Sequence, residues 1–229
     1  MIGNDNLANR QKWVESVLLS LPAGLSLIDI GAGECQYKRF CTHLNYTSQD
    51  FNQYTGEGDN AGLQTGTWDV SRIDIVSDIT AIPIPDAQFD VVLCTEVLEH
   101  VPDPTGSINE MNRILKKGGI MIITSPFCSL THFAPYHFCD GFNRYFYQHH
   151  FDRLGYEVLE ITANGNYFEY LAQELHRLPS VSKKYAGKSY FLARVASRFL
   201  IKLLDIYSKN DKDSDTLLCY GYHVRGIKK

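Results

Sequence analysis

Asp29, Gly31 and Gly33 are the residues of this sequence best suited to holding a charged ligand. They lie in LIDIGAGECQY (27–37), where an apolar run ends at a carboxylate and then turns through two glycines. A strand that turns into a helix in this way brings main-chain N–H groups close to a ligand at the carboxyl end of a parallel sheet. The pattern therefore predicts a ligand site built on this turn.

Two kinds of nucleotide cofactor use such a turn, and the flanking residues distinguish between them. A dinucleotide fingerprint has a third glycine where this chain has Gln36, whose large side chain would obstruct helix and strand packing. Asp29 would add negative charge beside a pyrophosphate, whereas the sulfonium and amino groups of S-adenosylmethionine are positive. The charges favour S-adenosylmethionine, and a nicotinamide oxidoreductase is the alternative.

Two further carboxylates follow predicted strands. Asp50 ends the second strand, where an acid accepts hydrogen bonds from ribose hydroxyls of either cofactor. Asp78 ends the third strand, where it could accept from the exocyclic amine of an adenine while Ile79 packs on the ring. Each acid alone is also typical of a helix cap or a solvated loop.

Four stretches between residues 27 and 126 carry a family resemblance: LIDIGAGEC, SQDF, SDITAIPIPDAQFDVVLCTEVLEHV and LKKGGIMIITSP. In their order and spacing the chain resembles class I S-adenosylmethionine-dependent methyltransferases, in particular the small-molecule, type 11-like group. The resemblance implies S-adenosylmethionine as methyl donor and S-adenosylhomocysteine as product. It also implies the donor-binding residues, which are Asp29, Gly31, Ala32 and Gly33 at the methionine end, Asp50 and Phe51 at the ribose, Asp78 and Ile79 at the adenine, and Thr95 at the sulfonium.

Histidines are the candidate catalytic residues, because a hydroxyl acceptor must lose a proton and histidine is the usual base near neutral pH. His100 follows the fourth predicted strand, with Glu96 and Glu99 near enough in sequence to orient it. Packing or capping at a helix end is an equally good explanation of His100. His132 and His137 lie in the aromatic stretch after the fifth predicted strand, and we expect them to act in catalysis.

That aromatic stretch, residues 125–150, suits a polyhydroxylated ring, because aromatic side chains stack on C–H faces while polar tips bind hydroxyls. The predicted substrate contacts are Tyr136, Arg144, Tyr145 and Tyr167. The acceptor we expect is a hydroxyl of a sugar or glycan intermediate, nucleotide-linked or lipid-linked. An amine or carboxyl acceptor, a non-catalytic binding subunit, and simple core filling by the phenylalanines are the alternatives.

The sequence predicts no metal site. His132, His137, Asp140, His149 and His150 are close in sequence, yet no H-E-x-x-H motif is present. The six cysteines are scattered without a CxxC pair, which is typical of reduced thiols. We therefore expect free cysteines and a histidine-based chemistry.

Overall composition indicates a globular protein that works on small molecules. The net charge of −4 argues against a nucleic-acid-binding face, and no apolar run is long enough to span a bilayer. The first residues lack the basic and apolar regions of a secretory signal, so we expect a cytoplasmic location. The sequence does not indicate an oligomeric state.

Short apolar runs alternate with helical stretches, which is typical of a parallel sheet covered by helices on both faces. The predicted strands are 25–30, 46–50, 73–78, 89–94, 119–125, 155–161 and 216–227. They predict one α/β domain, 1–229, with a Rossmann-like seven-stranded, mostly parallel sheet. Residues 164–215 are expected to form a small helical insertion before the last strand, contributing to the acceptor side.

Residues 188–204 have the pattern of a basic amphipathic helix. Leu192, Val195, Phe199 and Leu203 line one face, and Arg194, Arg198 and Lys202 line another. Such a helix could rest peripherally on an anionic membrane or approach phosphates of an acceptor. Packing of the apolar stripe on the protein is the commoner arrangement of a surface helix and is the expectation we start from.

Overall fold

The computed structural model describes residues 2–187 and 190–229, and within them a seven-stranded sheet is the central element. The strands are β1 (Ser26–Ile30), β2 (Asn45–Asp50), β3 (Ile75–Val76), β4 (Phe89–Thr95), β5 (Leu115–Pro126), β6 (Tyr156–Asn164) and β7 (Gly221–Lys228). The helices are α1 (Asn6–Leu19), α2 (Pro104–Ile114), α3 (Arg144–Leu154), α4 (Tyr167–Ala186) and α5 (Tyr190–Lys209).

Strand order explains where a ligand can bind. The order is β3-β2-β1-β4-β5-β7-β6; β1 pairs in parallel with both β2 and β4, and β7 is antiparallel to β5. The chain builds one half of the sheet from β1 to β3 and then returns to add β4 on the other side of β1. The strand order therefore reverses between the neighbouring strands β1 and β4, and open α/β sheets form a ligand crevice at such a position. The Rossmann-like, mostly parallel sheet predicted from the sequence is confirmed.

Both faces of the central strands are buried. Successive side chains of a strand point to opposite faces of the sheet, and here helices cover both faces. On one face Val91 and Leu93 of β4 pack with Val14, Val17 and Leu18 of α1. The opposite-facing Val92 is equally buried. α2 is capped at its N-terminus, since Asp103 accepts a hydrogen bond from the Gly106 N–H and Pro104 is its first residue.

The described residues form two compact units. One contains Lys12–Thr162 and Gly221–Lys229 and includes nearly all of the sheet; the other contains Met1–Gln11 and Ala163–Tyr220, and we call it the helical unit. Within the helical unit α4 begins with a capping box between Asn166 and Glu169. α4 ends at Ala186, and Gly187, the residue that follows, has a left-handed backbone conformation. The pairing of α4 and α5 buries Ala172 and Ile201.

Three expectations differ from the structure in detail. The third strand has two residues, because its ladder with β2 contains only Ile75 and Val76. The last strand begins at Gly221, since residues 214–216 form a 3₁₀ helix. The apolar stripe of α5 does not pack on the protein, because the helix buries the opposite side, at Ser197 and Ile201, and leaves the stripe in solvent.

Among residues 2–187 and 190–229, none of the helices is both long and apolar enough to cross a membrane. The six cysteines form no disulfide bond with one another in the part of the chain that the structure describes.

Candidate active site

The turn after β1 requires glycine at two positions. Gly31 and Gly33 have φ angles of +65° and +51°, in the left-handed region that glycine adopts without strain. A Cβ on Gly31 would lie 2.3 Å from Cγ2 of Val97, and a Cβ on Gly33 would lie 2.4 Å from Cζ2 of Trp68. Local conformation and close packing therefore both select glycine in this turn.

Asp29 is a buried carboxylate at the start of that turn. Its Oδ2 accepts a hydrogen bond of 2.7 Å from the Tyr46 hydroxyl, while its Oδ1 has no hydrogen-bond partner among the described residues. Burial raises the pKa of Asp29 from 3.8 to about 7; the Tyr46 bond opposes this rise and the charge of Asp50 adds to it. A buried oxygen of this kind is suited to accept from a positively charged ligand group.

Asp50, at the end of β2, connects the glycine turn to the second strand. It is buried, its Oδ2 accepts from the Gly33 N–H at 3.0 Å, and its Oδ1 accepts from the Asn52 N–H at 2.8 Å. A carboxylate has about four acceptor positions, so two remain for ligand hydroxyls. The neighbouring Phe51 is half-buried, with its ring edge against Tyr136 at 4.9 Å.

The remaining predicted donor residues follow the strand ends as the sequence indicates. Asp78 is exposed and accepts two hydrogen bonds from Thr80, which lower its pKa. Ile79 beside it is buried, as are Ala32 and Thr95, the last residue of β4. Their roles in donor binding stay predictions.

Residues 53–69 form a long loop, and Trp68 near its end lies over the glycine turn. Trp68 packs on Gly33, and its ring also contacts those of Tyr54 and Phe133. Leu63 pairs with the segment after β5. The Leu63 N–H donates to the Thr131 carbonyl, and the Leu63 carbonyl accepts from the Phe133 N–H. Sequence reasoning missed Trp68 and Tyr54, although two large aromatic residues in an otherwise polar loop were a usable signal.

The three candidate catalytic histidines lie together. The ring centroids of His100 and His132 are 4.5 Å apart, and those of His132 and His137 are 4.9 Å apart. His100 Nδ1 is bonded to the Tyr136 carbonyl at 2.6 Å, and His137 Nε2 lies 3.2 Å from Ser129 Oγ. The structure therefore brings the three predicted histidines together from segments about thirty residues apart, while their catalytic role stays a prediction.

Electrostatics separate the roles these histidines can play. Burial, followed by the charge of His132, lowers the pKa of His100 to about 3. Burial also lowers the pKa of His137. A proton acceptor works best with a pKa near the working pH, so His100 is a poor general base in this environment.

Glu99, which the sequence analysis considered only as a residue near enough to orient His100, lies close to two rings of this cluster. Its side chain is fully buried, and its Oε1 lies 3.7 Å from Nε2 of His100 and 3.9 Å from Nε2 of His132. Only its position beside His100 marked it in the sequence.

The predicted substrate residues occupy different places. Tyr136 lies in the histidine cluster, through its carbonyl. Arg144 and Tyr145 are exposed at the start of α3, and Tyr167 begins α4 in the helical unit, where its N–H donates to Ser214 Oγ. Acceptor contacts by these residues stay predictions.

Comparison with known proteins gives a family match over the strands just described. Residues 28–123 match a family model described as a methyltransferase domain. The ubiquinone biosynthesis O-methyltransferase of Leptothrix cholodnii is 27% identical over 121 residues, covering 51% of this chain and 50% of that protein. That of Pseudomonas entomophila is 46% identical over 115 residues, covering 48% and 47%. The chain thus spans about half the length of these curated relatives.

Solved structures show the same fold at low identity. An S-adenosylmethionine-dependent methyltransferase from Archaeoglobus fulgidus aligns with a TM-score of 0.57 at 16% identity, covering 99% of this chain and 95% of that chain. The cyclase SpnF aligns with a TM-score of 0.56 at 18% identity, covering 96% and 80%. Haemonchus contortus phosphoethanolamine N-methyltransferase 2, in complex with S-adenosylmethionine, aligns with a TM-score of 0.53 at 18% identity, covering 98% and 52%.

Proposed function

We propose that this chain, which carries a class I S-adenosylmethionine-dependent methyltransferase domain, transfers a methyl group from S-adenosylmethionine to a hydroxyl of a small molecule. The observation that carries the proposal is the buried Asp29 Oδ1, which lacks a hydrogen-bond partner among the described residues and lies at a turn restricted to glycine. The family match covers the same turn. S-adenosylmethionine supplies a methyl group on a positively charged sulfur, and S-adenosylhomocysteine is the product.

The residues of this turn suit such a donor. Asp29 offers a carboxylate oxygen to a positive amino group, and the bare backbone at Gly31 and Gly33 allows close approach. Asp50 retains acceptor capacity for ribose hydroxyls, and Phe51 and Ile79 offer apolar surface for an adenine. A chain with these features binds the donor through strand ends that are fixed before binding.

A hydroxyl is the acceptor group we propose, because the curated relatives are named O-methyltransferases. In the transfer, the acceptor oxygen loses its proton to His132 or His137 and bonds to the methyl carbon. The carbon–sulfur bond breaks and its electron pair stays on sulfur. The ring of Phe133 beside His132 suits a cyclic substrate, and a nucleotide-linked or lipid-linked sugar is the first class to test.

Calorimetry with S-adenosylhomocysteine and NADH tests the donor. We expect binding of the first alone, and Asp50→Ala should weaken it by about 1.5–3 kcal/mol, the contribution of a hydrogen bond to a charged group. Asp152→Ala, at an exposed acid of α3, is the control and should bind normally. Binding of NADH alone would contradict the proposal.

Mass spectrometry of reactions with S-adenosylmethionine tests the acceptor. We expect a methylated hydroxyl in at least one member of a panel of sugar nucleotides, lipid-linked sugars, phenols, amines and carboxylic acids. Methylation of only an amine or a carboxylate would replace the hydroxyl proposal. Tight donor binding with no methylated product in any class would indicate a binding subunit.

The exposed face of α5 supports a second proposal, that the chain docks on an anionic membrane surface. The outer stripe of α5 consists of Leu192, Val195, Phe199, Leu203 and Ile206, and the exposed fractions of Leu192 and Phe199 are 75% and 72%. Contiguous exposed apolar residues on a soluble protein mark an interaction surface. Because a single helix face is apolar and its flank is cationic, a lipid surface fits better than an apolar partner.

The cationic flank also borders a cleft of about 1170 Å³ within the helical unit. Lys183 of α4 and Arg194, Arg198 and Lys202 of α5 line it, with Asp205 as its acid. Asp205 pairs with Lys209 at 2.5 Å, which leaves the cleft with excess positive charge. Phosphate headgroups complement this charge.

We also place the chain in the cytoplasm, because six cysteines without a disulfide bond fit a reducing compartment.

Vesicle co-sedimentation tests the docking. The protein should pellet with phosphatidylglycerol vesicles at low salt, but neither with phosphatidylcholine vesicles nor at high salt. Phe199→Ser should reduce pelleting, whereas Leu217→Ser, at an apolar residue of 71% exposure in the same unit, should not. Failure to pellet at low salt, or a dimer that Phe199→Ser disrupts, would overturn this proposal.

A further inference from the structure

We infer that Glu99, His100 and His132 form a binding site for one divalent transition-metal ion. Metal binding itself is independent of the proposed function, and only the use of the ion in methyl transfer rests on it. Glu99 and His100 lie on the 3₁₀ helix Leu98–His100 after β4, and His132 lies after β5. One ligand atom from each residue lies within 4.8 Å of the other two. A tetrahedral zinc ion holds its ligand atoms about 3.4 Å apart, so small side-chain movements complete the site.

The tautomers of both histidines prepare this site. His100 Nδ1 lies 2.6 Å from the Tyr136 carbonyl, and His132 Nδ1 lies 2.8 Å from the Leu130 carbonyl. A carbonyl oxygen only accepts, so each Nδ1 carries the proton of the neutral ring and each Nε2 presents a lone pair. Metal-bound histidines are typically oriented in this way, by a backbone carbonyl at the other nitrogen.

Both lone pairs face the same carboxylate. His100 Nε2 lies 3.7 Å from Glu99 Oε1, and His132 Nε2 lies 3.9 Å from it. His100 Nε2 is buried and has no hydrogen-bond partner among the described residues. Two imidazole nitrogens and a carboxylate oxygen are ligand types that a divalent transition metal accepts, and a cation between them would be attracted to all three.

The ligand types indicate the ion. Two imidazoles and one carboxylate suit Zn²⁺, Co²⁺ or Fe²⁺, whereas Mg²⁺ and Ca²⁺ prefer oxygen ligands. Three protein ligands leave at least one coordination position for water or substrate. His137 is close, with its ring 4.9 Å from that of His132, and its Nε2 bonds Ser129 Oγ instead.

An open position beside the acceptor residues gives the ion a purpose in the proposed reaction. A bound divalent metal lowers the pKa of a coordinated hydroxyl, so the acceptor oxygen can lose its proton to solvent without a histidine base. Methyl transfer then proceeds as described above, with the electron pair of the broken carbon–sulfur bond on sulfur. Under this inference His132 binds metal rather than taking the acceptor proton.

Metal binding is tested without donor or acceptor. Protein stripped with a chelator is titrated with Zn²⁺ by calorimetry and with Co²⁺ by visible absorption. We expect one ion per chain, with the absorption bands of low-coordinate Co²⁺. Glu99→Gln and His132→Ala should each lower the metal affinity by more than about tenfold, because losing even a group that only hydrogen-bonds a metal ligand typically costs about 10–100-fold.

A matched control and a second variant keep the test decisive. His149→Ala removes an exposed histidine of α3 and should bind metal normally. If Glu99→Gln fails to fold, His132→Ala decides alone, since that side chain is partly exposed outside helices and strands. Absence of binding in the wild type, or binding unaffected by His132→Ala, would overturn the inference. Calorimetry with S-adenosylhomocysteine reports separately on the proposed function.

Discussion

The donor side and the acceptor side of the candidate site are positioned by different kinds of structure. Asp29 and Asp50 lie at the ends of β1 and β2, which pair in parallel, so the backbone ladder fixes their separation. His100 and His132 come from a short 3₁₀ helix and an irregular segment, and hydrogen bonds from their rings to carbonyls orient them. The donor side therefore depends on backbone geometry, while the acceptor side depends on individual side chains.

Removing one acceptor-side ring should give the largest difference between an effect on turnover and an effect on donor affinity. His132→Ala should reduce turnover by roughly 10²–10⁴-fold, whether the ring acts as base or binds a metal ion. Its affinity for S-adenosylhomocysteine should stay unchanged, because the hydrogen bonds to Asp29 and Asp50 come from Tyr46, Gly33 and Asn52. Steady-state kinetics and calorimetry on the same protein measure the two effects.

The control for this comparison is His149→Ala, an exposed ring on α3, which should leave both quantities unchanged. Loss of donor affinity in His132→Ala would mean that the two sides are not independent. Full turnover in that variant would remove His132 from the chemistry.

The pH dependence of stability should reveal the donor side. Because burial raises the pKa of Asp29 from 3.8 to about 7, the native chain holds a proton that the unfolded chain releases. The contribution of Asp29 to stability therefore falls as pH rises between about 4 and 7, by up to about 4 kcal/mol, and is constant above that window. Asp29→Asn should flatten this part of the curve.

Urea denaturation of both proteins across this pH range measures the effect. Asp29→Asn should gain stability over the wild type as pH rises from 5 to 8, while Asp152→Asn should follow the wild type. Parallel curves for Asp29→Asn and the wild type would show that the carboxyl titrates as it does in solvent.

Two glycine substitutions test how far the donor side depends on backbone geometry. The expected difference in stability between the two variants is the smallest effect of this series. Gly24 and Gly31 both have left-handed φ angles, but a Cβ on Gly24 meets nothing within 4 Å, while one on Gly31 meets Val97 at 2.3 Å. Gly24→Ala should cost only the conformational strain, roughly 1–2 kcal/mol. Gly31→Ala should cost about 1–3 kcal/mol more and also weaken S-adenosylhomocysteine binding. Equal losses in the two variants would mean that close packing at the turn is unimportant.

The donor side could be predicted from the sequence because its signals are local. Each strand end carries its carboxylate within a few residues of an apolar run, and glycine spacing marks the turn. The sheet followed from the alternation of strands and helices. The third strand lies within its predicted range, 73–78, but its short length could not be predicted, because the sequence does not show which of these residues pair with β2.

The acceptor side could be predicted only in part, because its contacts join distant segments. Sequence proximity suggested His132, His137, Asp140, His149 and His150 as the set to weigh for a metal. The structure instead brings Glu99 and His100 to His132. The exposed stripe of α5 was also beyond the sequence, since a helical period indicates an apolar face without showing what covers it.

Residues 53–69 are held to the segment after β5 by backbone hydrogen bonds. Trp68 covers the glycine turn, and Leu63 on the same loop is hydrogen-bonded to Thr131 and Phe133, the neighbours of His132. Movement of this loop away from the glycine turn therefore requires these hydrogen bonds to break or the segment that carries His132 to move with it. A ligand that immobilises one of the two segments should slow amide hydrogen exchange in the other.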